Sequence, residues 1–166
     1  EGVVVVVPPD DVEREGGVAG GATRSDSVRA GLAAVPDHAT IICVHDAARP
    51  FADTALFDRA VAAVIAGADG AIPAIAVTDT IKVVAVGVVV ATPDRATLVA
   101  VQTPQAFRAD VLRRAHTSAD TSTDDAALVE AIGGRVVVVE GDTRNRKITR
   151  PDDLEWARRE LETSRP

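Results

Sequence analysis

Short apolar runs that alternate with helix-like segments constrain this chain more than any other feature of its sequence. Residues 3–7, 41–44 and 71–77 have the length and composition of buried strands, and the segments between them carry apolar residues at helical spacing. Strand, helix, strand, helix, strand is the order that builds a parallel sheet with right-handed crossovers. We therefore predict an α/β domain with a doubly wound, mostly parallel, Rossmann-like sheet.

The composition of the core agrees with that fold class. Apolar residues make up 46% of the 166, whereas aromatic residues make up only 2%. The core must therefore be built from Val, Ile, Leu and Ala, which suit parallel strands covered by helices on both faces. We expect a single domain over residues 1–166, incomplete at its N-terminus, because the sequence contains no methionine and opens directly on a strand.

Net charge and hydropathy argue against binding to nucleic acid or to a membrane. The formal net charge of −7 disfavours non-specific binding to nucleic acid or to an anionic membrane. The sequence shows no secretory signal and no apolar segment of about 18 residues, so we expect a cytoplasmic protein. Cys43 is the single cysteine, and within its apolar run it is expected to act as a small hydrophobic residue.

One segment departs from the alternating pattern. Residues 81–90 contain two short β-prone runs that meet at Gly87, which predicts a β-hairpin. A hairpin inserted in an α/β domain has no partner in the main sheet. We expect this arm, about residues 78–96, either to cap a site or to reach a neighbouring subunit.

The segment 45–50, HDAARP, ends the second apolar run with a carboxylate and a guanidinium. In open α/β sheets, ligands bind in the crevice beyond the carboxyl ends of the strands. Asp46 could hold a ribose hydroxyl or a metal, and Arg49 could hold a phosphate through its forked donors. The alternative is a structural Asp–Arg pair that only closes the end of the strand.

Polar residues at other predicted strand ends favour a site for an anion. Gly20 and Gly21 form a loop that leads into a helix, where free N–H groups favour anions or base carbonyls; a flexible surface loop is the alternative. Threonines and cations follow the later strands, and together they would form a basin suited to a phosphorylated substrate or a nucleoside triphosphate. The members of this basin are Arg49, Thr80, Arg95, Thr103 and Lys147.

Other kinds of site are less well supported by the sequence. His38, His45 and His116 lack the spacing of metal ligands, so we assign no metal to protein side chains. A serine nucleophile would require an elbow such as G-x-S-x-G, and none is present. A dinucleotide fingerprint, G-x-G-x-x-G, is also missing after the first strand.

Taken together, the motifs resemble the family of 2-C-methyl-D-erythritol 4-phosphate cytidylyltransferases of the non-mevalonate isoprenoid pathway. The matching segments follow the order of that family across nearly the whole chain. They are residues 20–28 (GGATRSDSV), 45–50 (HDAARP), 79–82 (DTIK), 92–95 (TPDR), 102–105 (QTPQ), 123–125 (TDD) and 147–149 (KIT). The resemblance implies a nucleotidyltransferase fold with an inserted β-hairpin arm.

The same resemblance implies a reaction. CMP would be transferred from CTP to 2-C-methyl-D-erythritol 4-phosphate, a small phosphorylated polyol, with release of pyrophosphate. The substrate phosphate would attack the α-phosphorus of CTP in line, with Mg²⁺ bound mainly through the CTP phosphates. The alternatives are a related enzyme that acts on ribitol 5-phosphate, and a non-catalytic module for nucleotide binding or dimerisation.

Positions in the motifs imply a role for each of several residues. Cytosine contacts fall on Gly20, Gly21 and Ser27, and ribose contacts on Asp46 and Ala47. Contacts with the substrate phosphate or polyol fall on Arg49, Thr80, Arg95, Thr103, Thr123 and Lys147. Lys147 and Arg95 are also the implied catalytic residues.

The resemblance also implies an assembly. In the family, the arm crosses to the other subunit, so Thr80 and Arg95 would serve the neighbouring site of a homodimer. The family pattern also includes a Gly-rich triphosphate loop, ending in Arg and Pro-Lys, which would precede residue 1 of this sequence.

Overall fold

The computed structural model of the chain describes residues 2–117, 122 and 124–163. Its strands are β1 (Val6–Val7), β2 (Val18–Ala19), β3 (Ile41–Val44), β4 (Gly70–Ala76), β5 (Val83–Ala85), β6 (Val88–Ala91), β7 (Val99–Val101), β8 (Gln105–Arg108) and β9 (Val136–Glu140). Its helices are α1 (Val12–Glu15), α2 (Arg24–Ala34), α3 (Thr54–Ile65), α4 (Ala109–Ala115), α5 (Asp125–Ala131) and α6 (Pro151–Thr163). Within the described residues, none of these helices is both long and apolar enough to cross a membrane.

The main sheet is mixed, and the prediction of a mostly parallel, doubly wound sheet is wrong in this respect. β4 pairs in parallel with β9 and antiparallel with β8, and β8 pairs antiparallel with β3 on its other side. β7 extends the sheet beside the second half of β4, again antiparallel. The strands β1 and β2 form a separate parallel pair.

The connection after β4 accounts for the antiparallel strands. A parallel return requires a crossover of about a dozen residues or more, usually a helix. The segment between β4 and β7 holds a hairpin instead, so the chain re-enters the sheet at the end where it left, and Ala76 pairs with Val99. The four-residue strand β8 was not predicted because its sequence, QAFR, has no alternating apolar pattern.

Strands β5 and β6 form an antiparallel hairpin at the expected position. Val86 and Gly87 have φ angles of 50° and 78°, the left-handed pair that a tight two-residue hairpin turn requires. The valines of the hairpin are exposed, from 45% at Val83 to 103% at Val86. A hairpin with so much exposed apolar surface suits contact with another protein surface.

Helix starts follow the local sequence closely. Thr23 caps α2 and forms a reciprocal capping box with Asp26. Asp53 caps α3 by accepting a hydrogen bond from the backbone of Leu56. Each cap fixes where the preceding loop must end.

Helices cover both faces of the main sheet. On one face α3 packs against small residues of β4 and β8, including Ala71 and Ala106. On the other face α4 and α5 enclose Phe107 and Leu112, both fully buried. The three-layer arrangement leaves the ends of the strands open for a site.

Two apolar segments are more exposed than the sequence pattern predicts. In the first run, Val3 and Val5 are 90% and 53% exposed, because a continuous valine run has no period that distinguishes a buried face. In α6, Ala157 is buried, but Leu154 and Leu161 are 47% and 58% exposed. Helical spacing from Pro151 onwards predicts that both leucines face the core with Ala157, and this prediction is wrong: they line an open groove beside the turn after β3.

Gly70 provides a test of how tightly the core is packed. A Cβ at this position would lie 2.6 Å from a ring carbon of Phe107, which is fully buried. We expect Gly70→Ala to lower the free energy of unfolding by about 1–3 kcal/mol through overpacking. Gly2→Ala, whose Cβ would meet nothing within 4 Å, is the matched control. Equal denaturation midpoints for the two variants would contradict this packing.

Candidate active site

A pocket of about 200 Å³ lies where β3 ends and where β7 connects to β8. Most of its lining is polar or charged, which suits a charged ligand more than an apolar one. The lining residues are Arg24, Asp46, Arg49, Val101, Gln102, Thr103, Gln105, Asp124 and Lys147. The pocket therefore combines three cations with two carboxylates.

Asp46 is the centre of charge in this pocket. Its carboxylate forms an ion pair with the Lys147 ammonium, with Nζ and Oδ2 2.8 Å apart. The other carboxylate oxygen lies 3.8 Å from Nε of Arg24. The Lys147 side chain is 45% exposed, so its ammonium is accessible to an anion in the pocket.

Arg49 is held rigidly from the opposite side. Its Nη1 donates to the carbonyl of Asn145 at 2.8 Å and its Nη2 to the carbonyl of Val101 at 3.4 Å. Its Nε is buried and has no hydrogen-bond partner among the described residues. Burial lowers the pKa of Arg49, an effect that the nearby Asp46 carboxylate partly opposes. The guanidinium is thus held in a fixed orientation at the wall of the pocket, which suits a phosphate site.

A buried network holds Arg24 at the edge of the pocket. Asp125 is fully buried, accepts a 2.6 Å hydrogen bond from Nη2 of Arg24, and lies 3.0 Å from Nε2 of His116. Burial acts to raise the pKa of Asp125, but hydrogen bonds from His116 and Arg24 outweigh it and hold that pKa below its usual range. Burial acts to lower the pKa of Arg24, but its hydrogen bond to Asp125 and the nearby carboxylates outweigh this effect, and the pKa is raised. Arg24 therefore stays positively charged where it lines the pocket.

Four of the residues predicted to form the site line this pocket together. They are Asp46, Arg49, Thr103 and Lys147. They come from the turn after β3, the link before β8 and the segment before α6, so only the fold brings them together.

The remaining predicted residues lie elsewhere. Ser27 accepts a hydrogen bond from the backbone of Gly21 and packs under Gly20, which has no room for a Cβ beside the Ser27 hydroxyl. Ala47 lines the neighbouring apolar groove. Thr80 is exposed. In the same arm, Arg95 donates to the carbonyl of Thr78 at 2.6 Å. Thr123 lies outside the described residues.

Four polar or charged pocket residues were not among the predicted contacts: Arg24, Gln102, Gln105 and Asp124. Arg24 and Asp124 each stand at the start of a helix, and Asp124 caps α5. Gln102 is buried and donates to the carbonyl of Asp142, which attaches the β7–β8 link to the loop that carries Lys147. Each of the four lies within a segment that matches the family motifs, and that match could have indicated a place in the site. Hydrophobic periodicity could not have done so, because it does not mark single polar residues.

Comparison with known proteins identifies the family. The family model described as 2-C-methyl-D-erythritol 4-phosphate cytidylyltransferase matches residues 1–163. The chain belongs to this cytidylyltransferase family. The resemblance drawn from the sequence motifs is thereby confirmed.

Individual relatives agree with this membership. The chain is 52% identical, over 158 residues, to a 2-C-methyl-D-erythritol 4-phosphate cytidylyltransferase from Nocardia farcinica, covering 95% of the chain and 67% of that protein. It is 46% identical, over 175 residues, to a bifunctional IspD/IspF enzyme from Nitratidesulfovibrio vulgaris, covering 93% of the chain and 44% of that enzyme. The chain thus spans about two thirds of one relative and less than half of the other.

A solved structure shows the same fold. The 2-C-methyl-D-erythritol 4-phosphate cytidylyltransferase from Thermus thermophilus superposes with a TM-score of 0.86 at 35% identity. The match covers 96% of this chain and 81% of that one. The mixed α/β architecture is therefore that of the cytidylyltransferase family.

Proposed function

We propose that this chain carries the catalytic pocket of a cytoplasmic cytidylyltransferase that transfers CMP from CTP to 2-C-methyl-D-erythritol 4-phosphate. The observation that carries the proposal is the convergence of Asp46, Arg49 and Lys147 in one pocket at the carboxyl end of β3. Both reactants are anions, and two cations in one cavity reduce the repulsion between them. Membership of the cytidylyltransferase family supplies the identity of the two reactants.

The chemistry requires an in-line displacement at the α-phosphorus of CTP. A phosphate oxygen of the polyol forms the new bond, the bond from the α-phosphorus to the bridging oxygen breaks, and pyrophosphate leaves. Negative charge accumulates on the oxygens around the α-phosphorus, where the Lys147 ammonium would stabilise it. Arg49, whose guanidinium is fixed by two carbonyl groups, would orient the attacking phosphate.

The nucleoside would occupy the side of the pocket nearer to α2. Asp46 and Ala47 are proposed to contact the ribose, and the Gly20–Gly21 loop with Ser27 to contact the cytosine. This loop packs tightly against α2, where a Cβ on Gly21 would overlap Asp26, so the start of the helix fixes the backbone that would face the base.

The side chains of this pocket suit a Mg²⁺ ion that is bound mainly to the substrate phosphates. The described residues include no group of three or more His, Cys, Asp or Glu side chains that could hold a metal ion. Mg²⁺ commonly keeps its waters and binds through substrate phosphates with little help from the protein. The CTP phosphates would hold it, and its charge would weaken the repulsion felt by the attacking phosphate.

The exposed hairpin is proposed to complete the site of a second copy. Thr80 and Arg95 do not line the pocket of their own chain, although their motif positions imply contact with substrate. The exposed valines of β5 and β6 offer a surface for the partner subunit. In such a homodimer, each arm would deliver Thr80 and Arg95 to the neighbouring pocket.

We predict that Arg95→Ala raises KM for the polyol phosphate by about 10-fold or more, because one cation is lost from the phosphate site. KM for CTP should change much less. Steady-state kinetics of the full-length protein with each substrate varied in turn would measure the difference. Arg114→Ala, which removes an exposed cation on α4, is the control and should behave like the wild type.

Mixed dimers test the crossing of the arm directly. Combining an Arg95→Ala subunit with a Lys147→Ala subunit leaves one intact site if the arm serves its neighbour. In a random 1:1 mixture half of the dimers are mixed, and each has one intact site of two, so activity should recover to about a quarter of the wild-type value, whereas each parent remains impaired. No recovery in the mixture would refute the exchange of arms.

The test of the proposed function is substrate discrimination by the full-length protein. With CTP, we expect kcat/KM for 2-C-methyl-D-erythritol 4-phosphate to exceed that for ribitol 5-phosphate by at least about 100-fold, since a polar site rejects an imperfect match strongly. The reverse preference would assign the related ribitol enzyme. Binding of CTP in calorimetry without turnover of either polyol would indicate a non-catalytic module.

A further inference from the structure

His45 bridges two segments of the pocket without lining it. Its Nε2 lies 3.1 Å from the carbonyl oxygen of Arg49, and its Nδ1 lies 3.1 Å from the hydroxyl of Thr103. Its ring also packs against Phe57, with the ring centroids 5.5 Å apart. The imidazole therefore spans the turn that carries Asp46 and Arg49, and it connects this turn to the β7–β8 link.

The direction of each hydrogen bond follows from the chemistry of the groups. A carbonyl oxygen only accepts, so Nε2 of His45 carries the proton and donates to Arg49. Burial lowers the pKa of His45, which favours the neutral ring, and Nδ1 is then an acceptor. The hydroxyl of Thr103 must therefore donate to Nδ1.

The same hydroxyl also has a fixed acceptor role. The backbone N–H of Asp46 donates to Oγ1 of Thr103 at 3.0 Å. Thr103 is nearly fully buried, and its own carbonyl accepts from Nδ2 of Asn145 at 2.8 Å. The only proton on its hydroxyl is already directed to His45, so the Thr103 side chain has no donor left for a phosphate.

We infer that His45 and Thr103 form a positioning pair that holds Asp46 and Arg49 in place, and that Thr103 does not donate to the substrate phosphate. This inference rests on the proposed function and changes the role that the motif position implies for Thr103. The chain of contacts runs from the Arg49 carbonyl through the imidazole and the hydroxyl to the Asp46 amide. It closes a ring around the turn at the end of β3.

Tautomer analysis tests the geometry independently of turnover. In full-length protein labelled with ¹⁵N-histidine at neutral pH, we expect His45 to show a protonated Nε2 and an unprotonated Nδ1. The His45→Phe variant, which keeps the packing against Phe57, identifies the resonances by their loss. A His45 ring protonated on Nδ1 alone would overturn the inference, even if the enzyme were fully active.

Kinetics test whether the two residues act through one hydrogen bond. We expect His45→Phe and Thr103→Val each to lower kcat/KM by about 10- to 100-fold through misplacement of Asp46 and Arg49. Thr103→Ser, which keeps the hydroxyl, should restore most of the activity. The double variant should be no worse than the poorer single variant, because both changes break the same contact.

A phosphate-binding Thr103 would give a different pattern. The losses of the two single variants would then multiply in the double variant, and Thr103→Val would raise KM for the polyol phosphate alone. Either result would overturn the positioning role.

Calorimetry gives a test that needs no turnover. If His45 and Thr103 position Asp46, then Thr103→Val should bind CTP more weakly than the wild type does. Complete inactivity of the wild type towards both polyols would count against the proposed function, whereas the His45 tautomer and the CTP affinities would still decide the inference.

Discussion

Replacing Lys147 with Ala is expected to lower kcat by about two orders of magnitude or more. The ammonium is accessible in the pocket, since the Lys147 side chain is 45% exposed and pairs with Asp46. Loss of a charge contact that strengthens in the transition state typically costs about 100- to 1,000-fold in kcat. Pyrophosphate release by the full-length protein under saturating CTP and polyol phosphate measures the effect.

Two controls separate chemistry from folding. Arg114→Ala removes an exposed cation on α4 and should leave kcat unchanged. Lys147→Arg keeps the charge but changes its shape, so it should recover only part of the rate, because a guanidinium does not replace a compact ammonium. Near-normal kcat in Lys147→Ala, in a variant that melts like the wild type, would refute the assigned role.

Replacing Asp125 with Ala is expected to lower the free energy of unfolding by about 3–5 kcal/mol, the range found when one partner of a buried ion pair is removed. The change leaves the buried His116 and the partly exposed Arg24 without their shared acceptor. It also releases Arg24 from the edge of the pocket, so CTP affinity should fall as well. Chemical denaturation of the variant and the wild type gives the stability difference.

Asp110→Ala is the matched control for Asp125. This carboxylate pairs with Arg108 at 3.0 Å but is 62% exposed at its side chain, so its loss should cost less than about 1 kcal/mol. Similar losses for the two variants would contradict the buried network.

The ionisation of Asp125 also predicts a pH dependence. Its pKa in the folded state lies below the usual 3.8. The contribution of the ionised group to stability is therefore fully present above that value and is lost as the pH falls through the lower folded pKa. Asp125→Asn should flatten this part of the acid limb, and an unchanged acid limb would contradict the assignment.

The elements of the fold were predictable where local chemistry decides them. Asp53 caps α3, the turn at Gly87 joins β5 and β6, and Pro151 opens α6, because each depends on a few adjacent residues. Strand direction was not predictable in this way. The antiparallel course of β7 and β8 depends on the path of the chain after β4, which no local pattern encodes.

The residues of the candidate site were predictable from the family motifs, and less so from the positions of polar residues after predicted strands. Asp46, Arg49, Thr103 and Lys147 share a pocket. The expectation that they follow strands ending at one edge of a parallel sheet does not explain this, because β7, which precedes Thr103, runs antiparallel to β4. The role of Thr103 could not be read from sequence, because the proton on its hydroxyl is committed by His45, a contact across 58 positions of the chain. Arg24 was missed as a pocket residue because its orientation depends on Asp125, 101 positions away.

This pocket is expected to transfer CMP from CTP to a polyol phosphate. The most direct measurement is ³¹P NMR of the full-length protein incubated with CTP, Mg²⁺ and 2-C-methyl-D-erythritol 4-phosphate. We predict that the CTP resonances are replaced by equimolar pyrophosphate and a CDP-linked alcohol, and that Lys147→Ala slows this conversion by about 100-fold or more. Persistence of CTP and the free polyol phosphate, in a protein that binds CTP, would contradict the account.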